Sequence, residues 1–446
     1  MQSPVQAQYA RGNSPYSKYG LGDLFSGMLP VNQSMAGAMA ATYRDYWGVN
    51  LVNPASLGKL RFTSFQLGLN YEHHELSERS TGLTAQADNG NLTSISLAFP
   101  ITKSWEVMRD TLRRGVPIQW GMGFSLMPFS NLNYDVTVLR DLENIPNVQF
   151  NYSGTGSRYR VNFSNGFTYK GLSVGVNTGL LFGKVINTAF IDFQDSAYIN
   201  AFDESTIEDL SGVGFIWDAG VQYEITLKER TNKANLDENL QLKRKLTLGL
   251  YAGGVSRIRT ESNVQYIRAG TYYSPDSVFV VSGIEGTMDI PLKLGAGFSF
   301  GSEATWLLGV NYETRLWDMY RVNDQADPYV QTSHKVAVGM QWIPNFIDFS
   351  NYFNRVKYRV GLSYASDYRT LQAADGSPYP LTDVSLSFGA GFPLRPPKSK
   401  AIEGHLNVGF DVGYFGNNDL INDIYFRVNL GFAMNASGWF TKSKFR

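Results

Sequence analysis

The chain has no cysteine. That removes thiol nucleophiles, disulfide staples and Cys-ligated zinc from the chemistry open to it. It has no apolar run approaching the ~18 residues a membrane-crossing helix needs, and its mean hydropathy is slightly negative, −0.21. Charge is scarce: Asp, Glu, Lys and Arg make up 17% of the chain, against roughly 25% in an ordinary soluble domain. The 39 basic and 39 acidic side chains cancel, so nothing points to electrostatic capture of nucleic acid. The stretch Met1–Ala10 has neither a basic n-region nor an apolar core; a secreted protein is expected to have lost such a leader by processing. The four histidines (His73, His74, His334 and His405) are dispersed, with no carboxylate at ligand spacing beside the His73–His74 pair. No metal, no cofactor and no enzymatic activity are expected.

Aromatic residues and glycine are abundant: Phe, Tyr and Trp reach 14%, and there are 44 Gly. The dominant pattern is a period of two. Over residues 424–434, Ile424, Phe426, Val428, Leu430, Phe432 and Met434 fall on one face, with Tyr425, Arg427, Asn429, Gly431 and Ala433 on the other. The same split recurs over 158–169, 215–227 and 404–415. It predicts fourteen strands at about 62–72, 92–101, 118–128, 158–169, 172–185, 213–227, 245–258, 286–300, 305–316, 334–343, 357–365, 382–392, 404–415 and 423–434. Most have the ~10 residues a tilted strand needs to cross a bilayer.

The longest predicted connections, 129–157, 186–212 and 259–285, all follow odd-numbered strands. Bacterial outer-membrane barrels carry long extracellular loops and short periplasmic turns, so the reading is an all-β, 14-stranded antiparallel transmembrane barrel with both termini in the periplasm. Its apolar outer face expects outer-membrane lipid and lipopolysaccharide as neighbours. Trp120, Trp306 and Trp342 at inner strand ends, with Trp217 and Trp317 at outer ends, fit aromatic girdles. The opposite face is rich in Gly, Asn and Ser with scattered charge. Arg158, Arg160, Asp218, Glu224, Lys293, Glu313, Lys335, Arg359, Asp411 and Arg427 are expected to point into the lumen.

About 60 residues precede the first confident strand. They are rich in small residues, too polar to span and too apolar for a free tail. They read as a plug, giving a division into residues 1–60 and 61–446. Here the sequence resembles the FadL-type outer-membrane transporters, in the branch seen in Bacteroidota. The resemblance rests on Ser14-Pro-Tyr-Ser-Lys-Tyr-Gly-Leu-Gly-Asp23, on Met35-Ala-Gly-Ala38, on Asn53-Pro-Ala55 just before strand one, and on Gly121-Met-Gly-Phe-Ser-Leu-Met-Pro-Phe-Ser130. Ser-Met-Ala-Gly-Ala stands where the family has Gly-Met-Gly-Gly-Ala. The resemblance implies a 14-stranded barrel with an N-terminal hatch, here Met35, Gly37, Asn53, Pro54 and Ala55. It also implies a kinked third strand opening a lateral gap to lipid, here Gly121, Gly123 and Pro128.

Two functions follow. The first is passive uptake of a hydrophobic small molecule, of the long-chain fatty-acid kind, through a hatch-gated lumen, with Tyr266, Tyr272, Tyr273 and Phe279 as a first outer contact surface. The second is an accessory barrel within a larger outer-membrane complex, for secretion or barrel assembly, as the resemblance implies for some Bacteroidota members. Its partner proteins would meet the long loops or the charged inner connections 102–117 and 228–244, the latter bearing Lys228, Glu229, Arg230, Lys233, Lys243 and Arg244.

Overall fold

The computed structural model describes residues 14–44, 48–79, 82–102, 117–142, 145–193, 201–227, 244–270, 273–346, 348, 350–372, 378–394, 402–417 and 419–436. The expected strands form, and fourteen of them close a barrel. In order around the wall they are β1 (Thr63–Glu78), β2 (Thr84–Pro100), β3 (Gln119–Leu142), β4 (Ile145–Tyr169), β5 (Leu172–Phe193), β6 (Phe202–Thr226), β7 (Lys245–Gly253), β8 (Lys293–Gly301), β9 (Trp306–Arg315), β10 (Ser333–Trp342), β11 (Lys357–Gln372), β12 (Pro378–Leu394), β13 (Ile402–Gly416) and β14 (Ile421–Ala436). All neighbours are antiparallel, and β14 returns to β1 from Ile421↔Glu78 to Ala436↔Thr63.

The alternation decides which face is wet. Phe388, Phe410 and Phe426 are exposed on the outside, while Ser387, Asn407 and Asp411 on the same three-strand stretch are buried within. A soluble sandwich would show the reverse. Here lipid is the solvent for the apolar face, and the polar face is enclosed.

The wall is lopsided. Strands β7 to β10 have 9 or 10 residues, enough to cross a bilayer and no more. Strands β3 to β6 have 22 to 25. The expected outer connections 129–157 and 186–212 are therefore largely strand. So is 259–285: the arms Ser256–Gly270 and Tyr273–Ile290 form a hairpin that continues the upper part of β6, from Phe202↔Gly270 to Val213↔Arg259. The strands expected at 245–258 and 286–300 are interrupted at residues 254–255 and 291–292, where Gly254 and Pro291 mark the step from wall to hairpin. Polar residues alternate through these stretches too, so the pattern that marks a membrane strand weakens while the ladder persists. His73 and His74, expected in the first outer loop, belong to β1 for the same reason.

Trp317 departs from its expected girdle position. It lies in a short 3-10 turn, almost fully buried, stacked 4.1 Å from the ring of Tyr368 and packed with Tyr320 and Leu21 on the enclosed side. Trp342, by contrast, is exposed beside Tyr358.

Candidate functional site: the lumen and the N-terminal segment

Residues 14–44 and 48–62 lie against the enclosed polar face. Proline opens each short turn of this segment, and the two 3-10 turns also have a capping side chain. Ser14 Oγ accepts from the Tyr16 amide ahead of Pro15–Lys18, and Asn53 Oδ1 accepts from the Ala55 amide ahead of Pro54–Lys59. Between them, a single helical turn, α1 (Pro30–Gln33), leads into a tight bend. Gly37 there holds φ +85° with the Met28 thioether against its α-carbon face, so a side chain at Gly37 is barred twice over.

The segment meets the wall at glycines. At Gly121 a side chain would strike the Leu57 carbonyl, and at Gly166 and Gly175 the Pro54 backbone. At Gly220 it would strike the Asn53 amide, at Gly249 the Ala41 carbonyl, and at Gly361 the Met35 backbone. These glycines sit on β3, β4, β5, β6, β7 and β11 and face inward at similar depth. Glycine in a strand weakens it but lets another backbone approach; here that close approach is the reason the glycines are present.

Asn53 is the hub of this docking. Its amide donates to Ala41 O at 2.8 Å within the segment and to Leu250 O at 3.1 Å on β7. The wall reaches back. Gln222 donates to Ala41 O at 2.9 Å, Asn311 accepts from the Ala41 amide at 3.1 Å, and Asn177 donates to Leu51 O at 3.1 Å. Met35 and Ala55 are fully buried.

The expected lumenal charges are all on the enclosed face, but they gather into separate groups. Asp218 pairs with Arg160 and with Lys293, the latter at 3.2 Å. Glu224 takes three cations: Lys59 at 2.8 Å, Lys245 at 3.6 Å and Arg44 at 3.7 Å. Burial and the nearby Arg44 guanidinium outweigh the attraction of Glu224 and lower the Lys59 ammonium to about 8. Arg427 bonds Glu72 at 2.5 Å and approaches Asp411 at 3.8 Å. Arg359 donates to Gln341 and Asn407, and buried Arg158 points at Leu21 O. Sequence reasoning missed Glu72, His74 and Asp423, with His74 Nδ1 3.0 Å from Asp423. The signal was present: Glu72 and His74 keep the inward parity of Gln66 and Asn70.

The third strand does part from its neighbour. The β2–β3 ladder runs only from Pro100↔Gly121 to Ile95↔Leu126, ending just before Pro128. Above that point β3 pairs with the N-terminal segment instead, as Ser130↔Leu24 and Asn131↔Asp23, and the Ser17 hydroxyl donates to Asn133 O at 3.1 Å. Gly121 receives the segment, whereas Gly123 packs on Ala98 of β2. The runs Gly171-Leu-Ser-Val-Gly175 and Gly297-Phe-Ser-Phe-Gly301 have the spacing of a nucleophile elbow, but their serines lie in strands, and Ser173 is bonded to Arg44 and to Thr168. Residues 228–243 and 103–116, Tyr272 and the Tyr273 side chain lie outside the described residues.

A family model described as BamG matches residues 1–446. No curated protein matches. Among solved structures, the chain is similar to a Pseudomonas aeruginosa FadL homologue, at 11% identity and TM-score 0.59 over 92% of this chain and 98% of that one. It is similar to the Pseudomonas putida toluene transporter TodX, at 14% identity and TM-score 0.57 over 94% and 100%. It is also similar to the CymD monoaromatic hydrocarbon channel, at 15% identity and TM-score 0.54 over 92% and 98%. At these identities the likeness establishes a shared FadL-type fold.

Proposed function

The chain belongs to the BamG family, and from that premise we propose that it is an accessory barrel of a larger outer-membrane complex, working through the sheet it projects beyond the bilayer. Residues up to about 60 serve as a plug and residues 61–446 as the wall. The observation that carries this reading is the docking of the segment's backbone on wall glycines, which suits a seal better than a moving gate. The tall side supports it: β3 to β6 and the 256–290 hairpin extend well past the length a bilayer needs, offering surface to partner proteins. The two-residue turn between Tyr169 and Leu172 at the opposite end supports placing both termini in the periplasm, with lipid and lipopolysaccharide around the wall. Tagged full-length protein extracted in mild detergent is expected to carry other outer-membrane proteins in fixed ratio. A lone barrel would overturn the reading.

Passive uptake of a hydrophobic small molecule is the second reading. The break in the β2–β3 ladder and the likeness to hydrocarbon channels favour it. A growth defect confined to one apolar substrate when the gene is deleted would support it over the first.

A further inference from the structure

On the tall side of the glycine belt the lumen keeps a cavity whose walls carry charge. About 240 Å3 lies between residues 14–28 of the N-terminal segment and strands β9 to β14 and β1. That is room for about eight waters at roughly 30 Å3 each. Gly339 and Gly389 receive the segment at Met35 and Ser34. Lys335 and Asp383 line the cavity from the same two strands, four and six residues further toward the tall end.

Most of the charge around this cavity is paired. Arg369 holds Asp23 and Asp367, each at 2.7 Å. Arg427 holds Glu72, and His74 lies between Asp423 and Glu72. Glu313 accepts from Arg315 Nε at 2.9 Å on one oxygen and from the Tyr251 hydroxyl at 2.7 Å on the other. Lys335 stands directly opposite Glu313 in the ladder, yet its ammonium has no ion pair or hydrogen bond among the described residues. Asp411 is within its electrostatic reach but not at ion-pair distance. Arg315 is bonded through Nε alone, so its terminal amino groups are without a partner among the described residues. On the other side of the cavity, Asp383 accepts the Tyr425 hydroxyl at 2.8 Å and meets no cation among the described residues.

We propose that this cavity binds a small zwitterion of dipeptide size, its carboxylate held by Lys335 and Arg315 and its ammonium by Asp383. Arg315 and Lys335 stand on adjacent strands, two residues out of register, so their free donors can share one carboxylate. Lys335, Ala365 and Asp383 form one register row across three strands, which sets the two charged positions about 10 Å apart at ~4.8 Å per strand. The small Ala365 side chain leaves the space between them open, and the gap that remains suits charges separated by one peptide unit. Leu24, Met28 and Phe415 add apolar wall for small aliphatic side chains. A hydrocarbon here would desolvate these charges without pairing them. Among the described residues no cluster of His, Asp and Glu could hold a metal instead. The inference holds whether the barrel is an accessory subunit or an uptake channel.

The test is isothermal titration calorimetry of the full-length protein in lipid nanodiscs with alanyl-alanine, for which saturable binding is expected. N-acetyl-alanyl-alanine and alanyl-alanine amide each lack one charge. Both are expected to bind about tenfold or more weakly, the worth of one charge-assisted hydrogen bond. These capped ligands probe the unaltered protein, so the outcome does not depend on a variant folding. Two variants, shown folded by their heat-modifiable gel mobility, then assign the ends. Asp383→Asn should narrow the difference between free and acetylated dipeptide and keep the effect of the amide. Lys335→Met should narrow the difference between free acid and amide and keep the effect of acetylation. No saturable binding, equal affinity for the capped forms, or folded variants that keep both differences unchanged would overturn the proposal.

Discussion

The two sides of the lumen hold the N-terminal segment by different means. From β3 round to β7, and again at β11, backbone lies on glycine, and polar groups such as Asn53, Gln222, Asn311 and Asn177 bond across the junction. From β12 round to β2, the contact is made by side chains, Pro30 against Gly431 and Gly68 and Ser34 against Gly389 and Gly409. A protein interior packs to crystal-like density, so the first side is close to a weld. The second is a contact of side chains on the wall.

The comparison can be broken in four ways, in falling order of effect. Deleting residues 1–60 should raise permeability to small hydrophilic solutes from baseline to that of an open pore; liposome swelling with a sugar reads it, and an unchanged rate would mean the segment does not seal. Next, Gly249→Ala and Gly220→Ala should each weaken docking by about 1–3 kcal/mol through overpacking, seen as faster protease release of the segment. Gly409→Ala, whose methyl would meet Ser34 Cβ at 3.2 Å, should cost less than either. Third, Asn53→Leu should cost about 1–2 kcal/mol, since it removes the side-chain bonds to the Ala55 amide and to the Ala41 and Leu250 carbonyls. Ser96→Ala, on the opposite side, should cost little, because the hydroxyl it removes has no partner in the protein. Equal losses for the two would contradict the distinction.

The smallest effect concerns pH. The folded Lys59 ammonium sits at about 8, below its ordinary 10.5. Between those values a released segment binds more protons than a docked one, so docking should strengthen as pH rises through that window. The groups facing Lys59 are Glu224, Arg44 and Lys245. Protease release should slow from about pH 7.5 to pH 9.5, and Lys59→Met should flatten the profile.

The barrel was legible because one physical rule wrote it: a face in lipid and a face in a polar lumen force a period of two on every membrane strand. Phe410 and Asp411 sort themselves by that rule alone. Past the bilayer the rule lapses, which is why the projecting parts of β3 to β6 and the 256–290 hairpin read as loops. The lumenal charges could be assigned to a face but not to partners, since Arg160 reaches Asp218 across β5, and Arg427 faces Glu72 only because β14 closes onto β1. Trp317 misled for a related reason: its position at a strand end is that of a girdle, and only the inward turn that follows β9 takes it to Tyr368. The glycines were counted in the sequence as an excess. What they accommodate became visible only with the segment in place.

The absence of cysteine offers the most direct test, because an introduced pair has no competitor. Gly409→Cys with Ser34→Cys would place the two β-carbons about 3.2 Å apart, near disulfide reach, and would lock α1 to β13. If the barrel acts through its projecting sheet, the oxidised, locked protein should copurify with its partners and support growth as well as the reduced one. Loss of function on oxidation, restored by reductant, would show that the segment must move and would contradict the account.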